Sequence, residues 1–539
     1  MVAEARDLQP VTNPYAAEDP LLPDELPLPP GTSPAPPAPE ELAPIRLQAL
    51  GGYATLFAAL TLLSKGVSFF MLPLYVRYLS PAEYGVIELI ENSLDVLQIV
   101  AGSRLLGGVF RFYYKTDDQT MRRRVVSTAM LTIYAGYVCA ALVAYILAPQ
   151  FARYVIGDIK YTGLARLAAV NLSVVALYFV PPVFLRLTGR FTLLVRMNLI
   201  RLPLQVAMNV LFLVHFHLGP AAIFLSTLIC NIVVGGVMTF MVFREVGFGY
   251  DKQVAKDLYR YGAPLIVTQF ATFILTYGDR PFLRVVTNLT SVGLYTMAYS
   301  FAFLLAYLAQ TPFDLVWEPK KFEIAKRADR DSIYARVFVY QNVTLLTLAV
   351  GMSLFVHGVL RIMATPPFYP AANVVPILLI AMIFQAWTAS QDVGIGVSEQ
   401  TKYIAIANWI SAGVVLAGYA LLIPRYAGWG AAIATAIAYG VRYGCTYAFS
   451  QRLWPIRYNW TPVLRLAALS VVTVVVSVLV PAHSPVAALA ARVTEFAVFL
   501  ALMWWLPILS ASDKRALLTL PATISASVRA RLRPAVRAT

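Results

Sequence analysis

Apolar residues in this chain gather into runs of about twenty, and such a run is the length of a helix crossing about 30 Å of hydrocarbon. Short polar or basic stretches separate the runs. Taken in order they predict fourteen spans, at 50–73, 84–106, 125–147, 164–185, 194–214, 220–243, 262–282, 290–312, 337–360, 372–396, 403–423, 428–448, 461–480 and 486–508. In lipid each span must satisfy its own backbone amides, so the runs are helices and not open strands. The expected fold class is therefore all-α, a polytopic membrane protein of about fourteen transmembrane helices. The spans at 50–73, 84–106 and 262–282 are the least uniform, because they contain charges.

Ahead of the first run, Met1 to Pro44 are rich in proline and acidic residues. No early apolar core marks a signal peptide. Such a segment cannot bury enough surface to fold alone, and it is expected to be a disordered tail.

Two patterns recur along the chain. Leu74-Tyr75-Val76-Arg77 followed by Gly85-Val86 resembles Phe282-Leu283-Arg284 followed by Gly293-Leu294, about 208 residues on. Gly219-Pro220-Ala221-Ala222-Ile223 resembles Gly428-Trp429-Gly430-Ala431-Ala432-Ile433, about 209 residues on. The shared offset argues for an internal repeat. Six spans separate the copies, so both have the same orientation, as parallel repeats do. The expected organisation is a proline-rich tail (1–48), a first six-helix lobe (49–245), a second six-helix lobe (246–450), two extra helices (451–510) and a basic tail (511–539).

Composition agrees with the pattern. Of 539 residues, 59% are hydrophobic and 13% charged, whereas a soluble domain is nearer half apolar and a quarter charged. The net charge of +15 does not indicate nucleic acid, because the basic residues lie between apolar runs and not on one soluble face. With the N-terminus inside, most Lys and Arg fall in inside loops, as the positive-inside rule requires. The basic tail with Arg529, Arg531, Arg533 and Arg537 is then also inside, which needs an even number of spans.

Catalytic and cofactor chemistry has no foothold in the pattern. Cys139, Cys230 and Cys445 sit in apolar segments and read as packing residues. His215, His217, His357 and His483 are scattered, with no H-E-x-x-H spacing, so no metal site is expected. There is no G-x-x-x-x-G-K-S/T loop and no nucleophile elbow, and Gly394-Ile395-Gly396 lies within a span. The reading is of a protein that is not an enzyme and holds no cofactor.

Charges inside spans are costly and usually face a cavity or a partner. The second span carries Glu88, Glu91, Asp95 and Gln98 within about 80° of one another on a helix, with Asn92 beside them. Three carboxylates on one stripe cannot all stay ionised in a dry site, so they are candidates for binding H⁺ or Na⁺. In the first span, Lys65 shares a face with Thr61, Ser64 and Ser68, too deep for easy snorkelling. It is placed to pair with a carboxylate of the second span or to contact a phosphate. The seventh span brings Gln269, Thr272, Thr276, Asp279 and Arg280 onto one face. Gln385, Thr388 and Asp392 form a weaker stripe in the tenth. Arg104 and Arg111 lie near the inner end of the second span, away from the carboxylates. Tyr295, Tyr299 and Tyr307 suit either packing or stacking on sugar rings.

The run Leu63-Ser64-Lys65-Gly66-Val67-Ser68-Phe69-Phe70, then Pro73-Leu74-Tyr75, then Tyr78-Leu79-Ser80-Pro81-Ala82-Glu83-Tyr84-Gly85, resembles the opening of Wzx-type polysaccharide flippases. So does Tyr261-Gly262-Ala263-Pro264-Leu265, followed by Gly278-Asp279-Arg280 and Val292-Gly293-Leu294-Tyr295. These proteins belong to the multidrug/oligosaccharidyl-lipid/polysaccharide exporter superfamily, with MATE drug exporters and the lipid II flippase as relatives. The resemblance covers roughly residues 50–450. It implies two six-helix lobes around a cationic cavity, in the bacterial inner membrane, with both termini cytoplasmic. It also implies carriage of an undecaprenyl-diphosphate-linked oligosaccharide to the outer leaflet, beside polysaccharide polymerase and glycosyltransferase partners. Lys65, Arg104, Asp279, Arg280 and Arg284 are then the expected substrate contacts, and Glu88, Glu91 and Asp95 the expected coupling residues. The proline-rich tail and the acidity of the second span depart from the family pattern. That acidity keeps open a cation-coupled drug antiporter of the MATE branch. A membrane polysaccharide polymerase or ligase fits less well, since the outer loops are short.

Overall fold

The computed structural model describes residues 71–480, 484–508 and Lys514. All regular structure among these residues is helical. Ten helices are long and apolar enough to cross a membrane, or eleven when one bent pair counts as a single span. The expected first span with Lys65, the proline-rich tail and the basic tail lie wholly or almost wholly outside the described residues.

The expected count of fourteen differs from this for physical reasons at two further places. The seventh expected span falls on α8 (Lys252–Tyr277) and α9 (Asp279–Val286). Helix α8 opens with Lys252, Lys256, Asp257 and Arg260, and it is not among the ten apolar helices. The eleventh and twelfth expected spans are joined in one helix, α14 (Lys402–Leu453), whose backbone breaks at Ala427 with φ 47° and ψ −124°.

The chain is easiest to follow from α1 (Pro81–Ala101). Its start is fixed locally. The Ser80 hydroxyl accepts from the Glu83 N–H, the Glu83 carboxylate accepts from the Ser80 N–H at 2.9 Å, and proline occupies the first turn. The helix ends at Gly102, where φ is +111°, a conformation that penalises any residue with a Cβ. The chain then continues through a 3₁₀ turn into α2 (Leu106–Tyr114), bent by 52° from α1. The sequence reads 84–106 as one span, but the left-handed residue turns it into an elbow. The elbow rests on α3 (Gln119–Phe151) at Gly136, where an added Cβ would overlap the Ala101 carbonyl oxygen.

Helices α4 (Thr162–Phe179), α5 (Phe191–Val210), α6 (Ala221–Cys230) and α7 (Gly236–Val246) complete the first half. The second half holds α10 (Leu289–Leu305), α11 (Thr311–Ala325), α12 (Arg330–Met363), α13 (Val375–Gln391) and α14, followed by α15 (Trp460–Leu479) and α16 (Pro485–Trp505). One apolar cluster joins Leu105, Ile133, Leu172, Met238 and Leu258, and another joins Leu275, Tyr295, Leu346, Leu378 and Tyr439. Helix α8 lies within the expected second lobe in sequence, yet it begins in the first cluster and ends in the second, so it packs against both halves. Large apolar side chains such as Val138, Leu142, Ile146, Val471 and Val475 cover the outside of the bundle, as a lipid-facing surface requires.

The two halves touch most closely where α1 meets α10. A Cβ on Gly85 would overlap the Leu289 carbonyl oxygen, and a Cβ on Gly293 would overlap that of Pro81. Each glycine lets the other helix's backbone approach, the packing that small residues allow in membranes. At the same end, Arg77 donates to the Ile362 carbonyl at 3.4 Å, and the Thr365 hydroxyl donates to that of Val76 at 3.2 Å.

Candidate functional site: a polar interior walled by α1

Helix α1 carries its polar stripe into the middle of the bundle, where elements of both halves close on it. From α9 comes Arg280, which is 1% exposed. Its Nη1 donates to Asp279 Oδ1 at 2.7 Å and to the Thr276 carbonyl at 2.8 Å. Its Nε donates to Glu88 Oε1 at 3.2 Å, and the guanidinium lies 4.2 Å from the centre of the Tyr299 ring. Asp279 is fully buried, and its Oδ2 has no hydrogen-bond partner. The cation is thus held by two carboxylates from separate helices, which ties α1 to α9. Burying such charges is costly unless they are paired.

The rest of the stripe is divided. Glu88 also accepts from Asn92 Nδ2 at 3.2 Å, and Asp95 accepts from Gln98 Nε2 at 2.9 Å. Glu91 is exposed, and the space it faces is internal. It lines two adjoining cavities. One, of about 410 Å³, lies within the first half against Tyr178, Asn198, Arg201, Gln205, Asn209 and Thr227. The other, of about 340 Å³, lies between α1 and the second half, against Asp95, Tyr277, Arg280, Ser300 and Tyr307. Tyr75, Tyr84, Glu88 and Glu91 belong to both walls.

The expected site residues separate accordingly. Glu88, Glu91, Asp95 and Arg280 are brought together around these cavities. Asp279 is sealed behind Arg280 and borders neither cavity. Arg284 is turned away, with its Nε donating to the Ile156 carbonyl at 2.6 Å beside the left-handed Gly157. Arg104 sits in the turn beyond the elbow and also lines neither cavity. Tyr295 and Tyr299 are buried around Arg280, while Tyr307 borders the second cavity. Asp392 pairs with Lys321 at 3.0 Å, away from both. Arg111 lies 5.5 Å from the centre of the Tyr261 ring.

The implied cationic cavity is not what the described residues build. Their charged lining is Glu88, Glu91, Asp95, Arg201 and Arg280, and Arg280 is already paired with two carboxylates. The cause is the acidic stripe of α1. Among the described residues, no group of three or more His, Cys, Asp or Glu side chains could hold a metal ion.

One polar stripe does not figure in the sequence reading. Asn198, Arg201, Gln205 and Asn209 follow one another at three- and four-residue steps along α5, and all four line the first cavity. That spacing within an apolar run is the signal that reveals it.

Comparison with known proteins places this architecture. The family described as polysaccharide biosynthesis protein matches residues 74–364, more than half of the chain. An uncharacterized membrane protein of Methanocaldococcus jannaschii is 20% identical over 443 residues, covering 76% of this chain and 86% of its own. Among solved structures, the lipid II flippase MurJ in an inward closed conformation aligns with a TM-score of 0.68 at 13% identity, covering 84% of this chain and 99% of that one. An inward-facing multidrug resistance MATE family transporter of the MOP superfamily aligns with a TM-score of 0.60 at 13% identity, covering 72% and 94%. These findings bear out the resemblance carried by the opening motif: the chain belongs to the polysaccharide biosynthesis family and has the fold of the multidrug/oligosaccharidyl-lipid/polysaccharide exporter superfamily.

Proposed function

We propose that this membrane transporter carries a polyprenyl-diphosphate-linked oligosaccharide from the inner to the outer leaflet of the bacterial inner membrane, by alternating access of two lobes. The observation that carries this reading is the polar interior walled by α1 in a bundle covered by apolar side chains, in a member of a polysaccharide biosynthesis family. A sugar-diphosphate head cannot enter hydrocarbon unaided, because its charge and hydroxyls lose their water. Hydroxyls, amides and carboxylates in the cavities replace part of that hydration, while the polyprenyl tail stays in lipid.

The two-lobe architecture has support in the contact of α1 with α10. The offset of the proposed repeat relates Pro81 to Leu289 and Gly85 to Gly293. Gly85 meets Leu289 and Gly293 meets Pro81, so the contact is reciprocal, as at an interface related by a two-fold axis. The second repeated motif behaves alike: the chain breaks at His217 and Gly219, with φ of 51° and 55°, and again at Ala427 just before Gly428. With both termini cytoplasmic, the glycine contact and Arg280 lie toward the outer face, where parting of α1 from α10 would open the cavities outward.

Arg280 is neutralised within its ion pairs, so the diphosphate is assigned to cations outside that cluster, with Lys65 of the first span as one candidate. A second reading, cation-coupled antiport, is favoured by Glu91, which is exposed to both cavities and four residues from Asp95. The two readings are separated in proteoliposomes. Inward-to-outward movement of an undecaprenyl-diphosphate oligosaccharide is expected, and efflux of ethidium without it would favour the antiporter.

A further inference from the structure

We infer that the cavity within the first half is the sugar-selecting chamber of the transporter, which holds one part of the oligosaccharide head by hydrogen bonds from α5. This rests on the proposed flippase reading and adds the place where the sugar is recognised. Four polar side chains on one stripe of a membrane helix are costly, and a ligand or a partner must satisfy them. Here partners satisfy them only in part. Asn209 donates to the Tyr75 hydroxyl at 2.8 Å and accepts from the Ser226 hydroxyl. Asn198 accepts from the Tyr178 hydroxyl at 2.7 Å. These two amides are fixed in orientation.

The next pair is left with capacity. Gln205 donates to the Ser226 hydroxyl at 3.0 Å, but its buried Oε1 has no partner. Arg201 lies over the Tyr178 ring, 3.9 Å from its centre, and donates to Asn231 Oδ1 at 3.4 Å, but its buried Nε has no partner. Glu91 faces the same space from α1. Arg201 and Gln205 both line the cavity with these unpaired atoms turned into its wall, so a small turn of either side chain offers the chamber an amide acceptor and a guanidinium donor beside the Glu91 carboxylate.

That mixture selects a ligand class. A bare phosphate needs donors and would be repelled by Glu91. A metal ion needs oxygens and would be repelled by Arg201. An apolar cation would leave Gln205 and Arg201 unsatisfied, which is costly in a buried site. Hydroxyl and acetamido groups of a sugar both donate and accept, so they match the whole set. A volume of about 410 Å³ lies in the range of small-molecule pockets, about 300–1,000 Å³.

The test uses the full-length protein in lipid nanodiscs and native mass spectrometry. The two probes are undecaprenyl diphosphate alone and the oligosaccharide-bearing undecaprenyl diphosphates extracted from cells that make the protein. Wild type is expected to retain the sugar-bearing lipid in preference to the bare carrier. Gln205→Leu should lower that preference about tenfold, the worth of one hydrogen bond to a group otherwise left unpaired. Thr227→Val, nearly isosteric on the same wall, should lower it by less and decides the matter if Gln205→Leu fails to fold. An unchanged preference in the folded variants, or no preference in wild type, overturns the chamber assignment. Wild type that retains neither lipid overturns the flippase reading itself, and the chamber assignment with it.

Discussion

Replacing Arg280 by Gln tests whether the buried ion cluster holds α1 to α9. The side chains of Asp279, Arg280 and Glu88 are 0%, 1% and 17% exposed. Removing the cation leaves Asp279 sealed, with neither oxygen paired to a cation. Breaking a buried pair from one side costs about 3–5 kcal/mol. Glu88→Gln is milder. It keeps the 2.7 Å Arg280–Asp279 bond, retains an acceptor for the 3.2 Å contact, and removes a negative charge one turn from Glu91. About 1 kcal/mol is expected there, the scale of one weakened hydrogen bond. The double variant Asp279→Asn/Arg280→Gln should recover part of the Arg280→Gln loss, since the sealed carboxylate is gone and only Glu88, which borders the cavities, is left without its cation. The assay is reversible SDS unfolding of the purified protein, with the three variants and wild type at equal lipid content. A loss for Arg280→Gln no larger than for Glu88→Gln, or a double variant worse than both, would refute the cluster as the tie between the helices.

Gly293→Val should destabilise by about 1–3 kcal/mol, because its side chain must enter the space held by the Pro81 carbonyl; thermal unfolding in nanodiscs reads the loss, and an unchanged midpoint would show that the helices separate freely. Gly102→Ala should cost about 1–3 kcal/mol at φ +111°, measured the same way. Asp95→Asn should leave abundance intact, since among the described residues the side chain's hydrogen bond is the local one to Gln98, yet stall export, seen as accumulated lipid-linked precursor at equal expression. Normal export across a range of external pH and Na⁺ would remove Asp95 from coupling. A reporter fused after Ser510 should report a cytoplasmic location, and a periplasmic signal would overturn the even number of spans.

The positions of the spans were legible because each apolar run must hide its own backbone in lipid, a constraint that acts within about twenty residues. Departures arise where a single backbone angle or a distant partner decides. Gly102 is an ordinary glycine in an apolar run until its positive φ bends the chain. Glu88 and Arg280 are 192 residues apart, and no periodicity in either segment reveals that they meet. The resemblance makes Arg284 an expected substrate contact beside Arg280, but four residues along the short α9 it reaches the Ile156 carbonyl instead. The α5 stripe was the opposite case: its spacing was readable, but amides draw less notice than charges in an apolar run.

That difference changes how the acidic stripe of α1 should be understood. As a sequence pattern, Glu88, Glu91 and Asp95 are three carboxylates at helical spacing, with Glu88 nearest the start of the span. In the bundle Glu88 is partnered across the interface by Arg280, so its charge serves the joint between α1 and α9. Glu91 lines both cavities, as Glu88 does, but is not held by Arg280, and Asp95 borders only the second. A proton or cation taken up between Glu91 and Asp95 would therefore change the charge of the polar interior one helical turn from the ion pair that joins α1 to α9. Coupling of ion and substrate then needs no long pathway: one helix carries the candidate ion site, a wall of the proposed sugar chamber and the contact at Gly85. If export depends on Glu91 or Asp95 only while the Arg280 cluster is intact, ion uptake acts through that contact. If the dependence survives Glu88→Gln undiminished, it acts on the substrate directly.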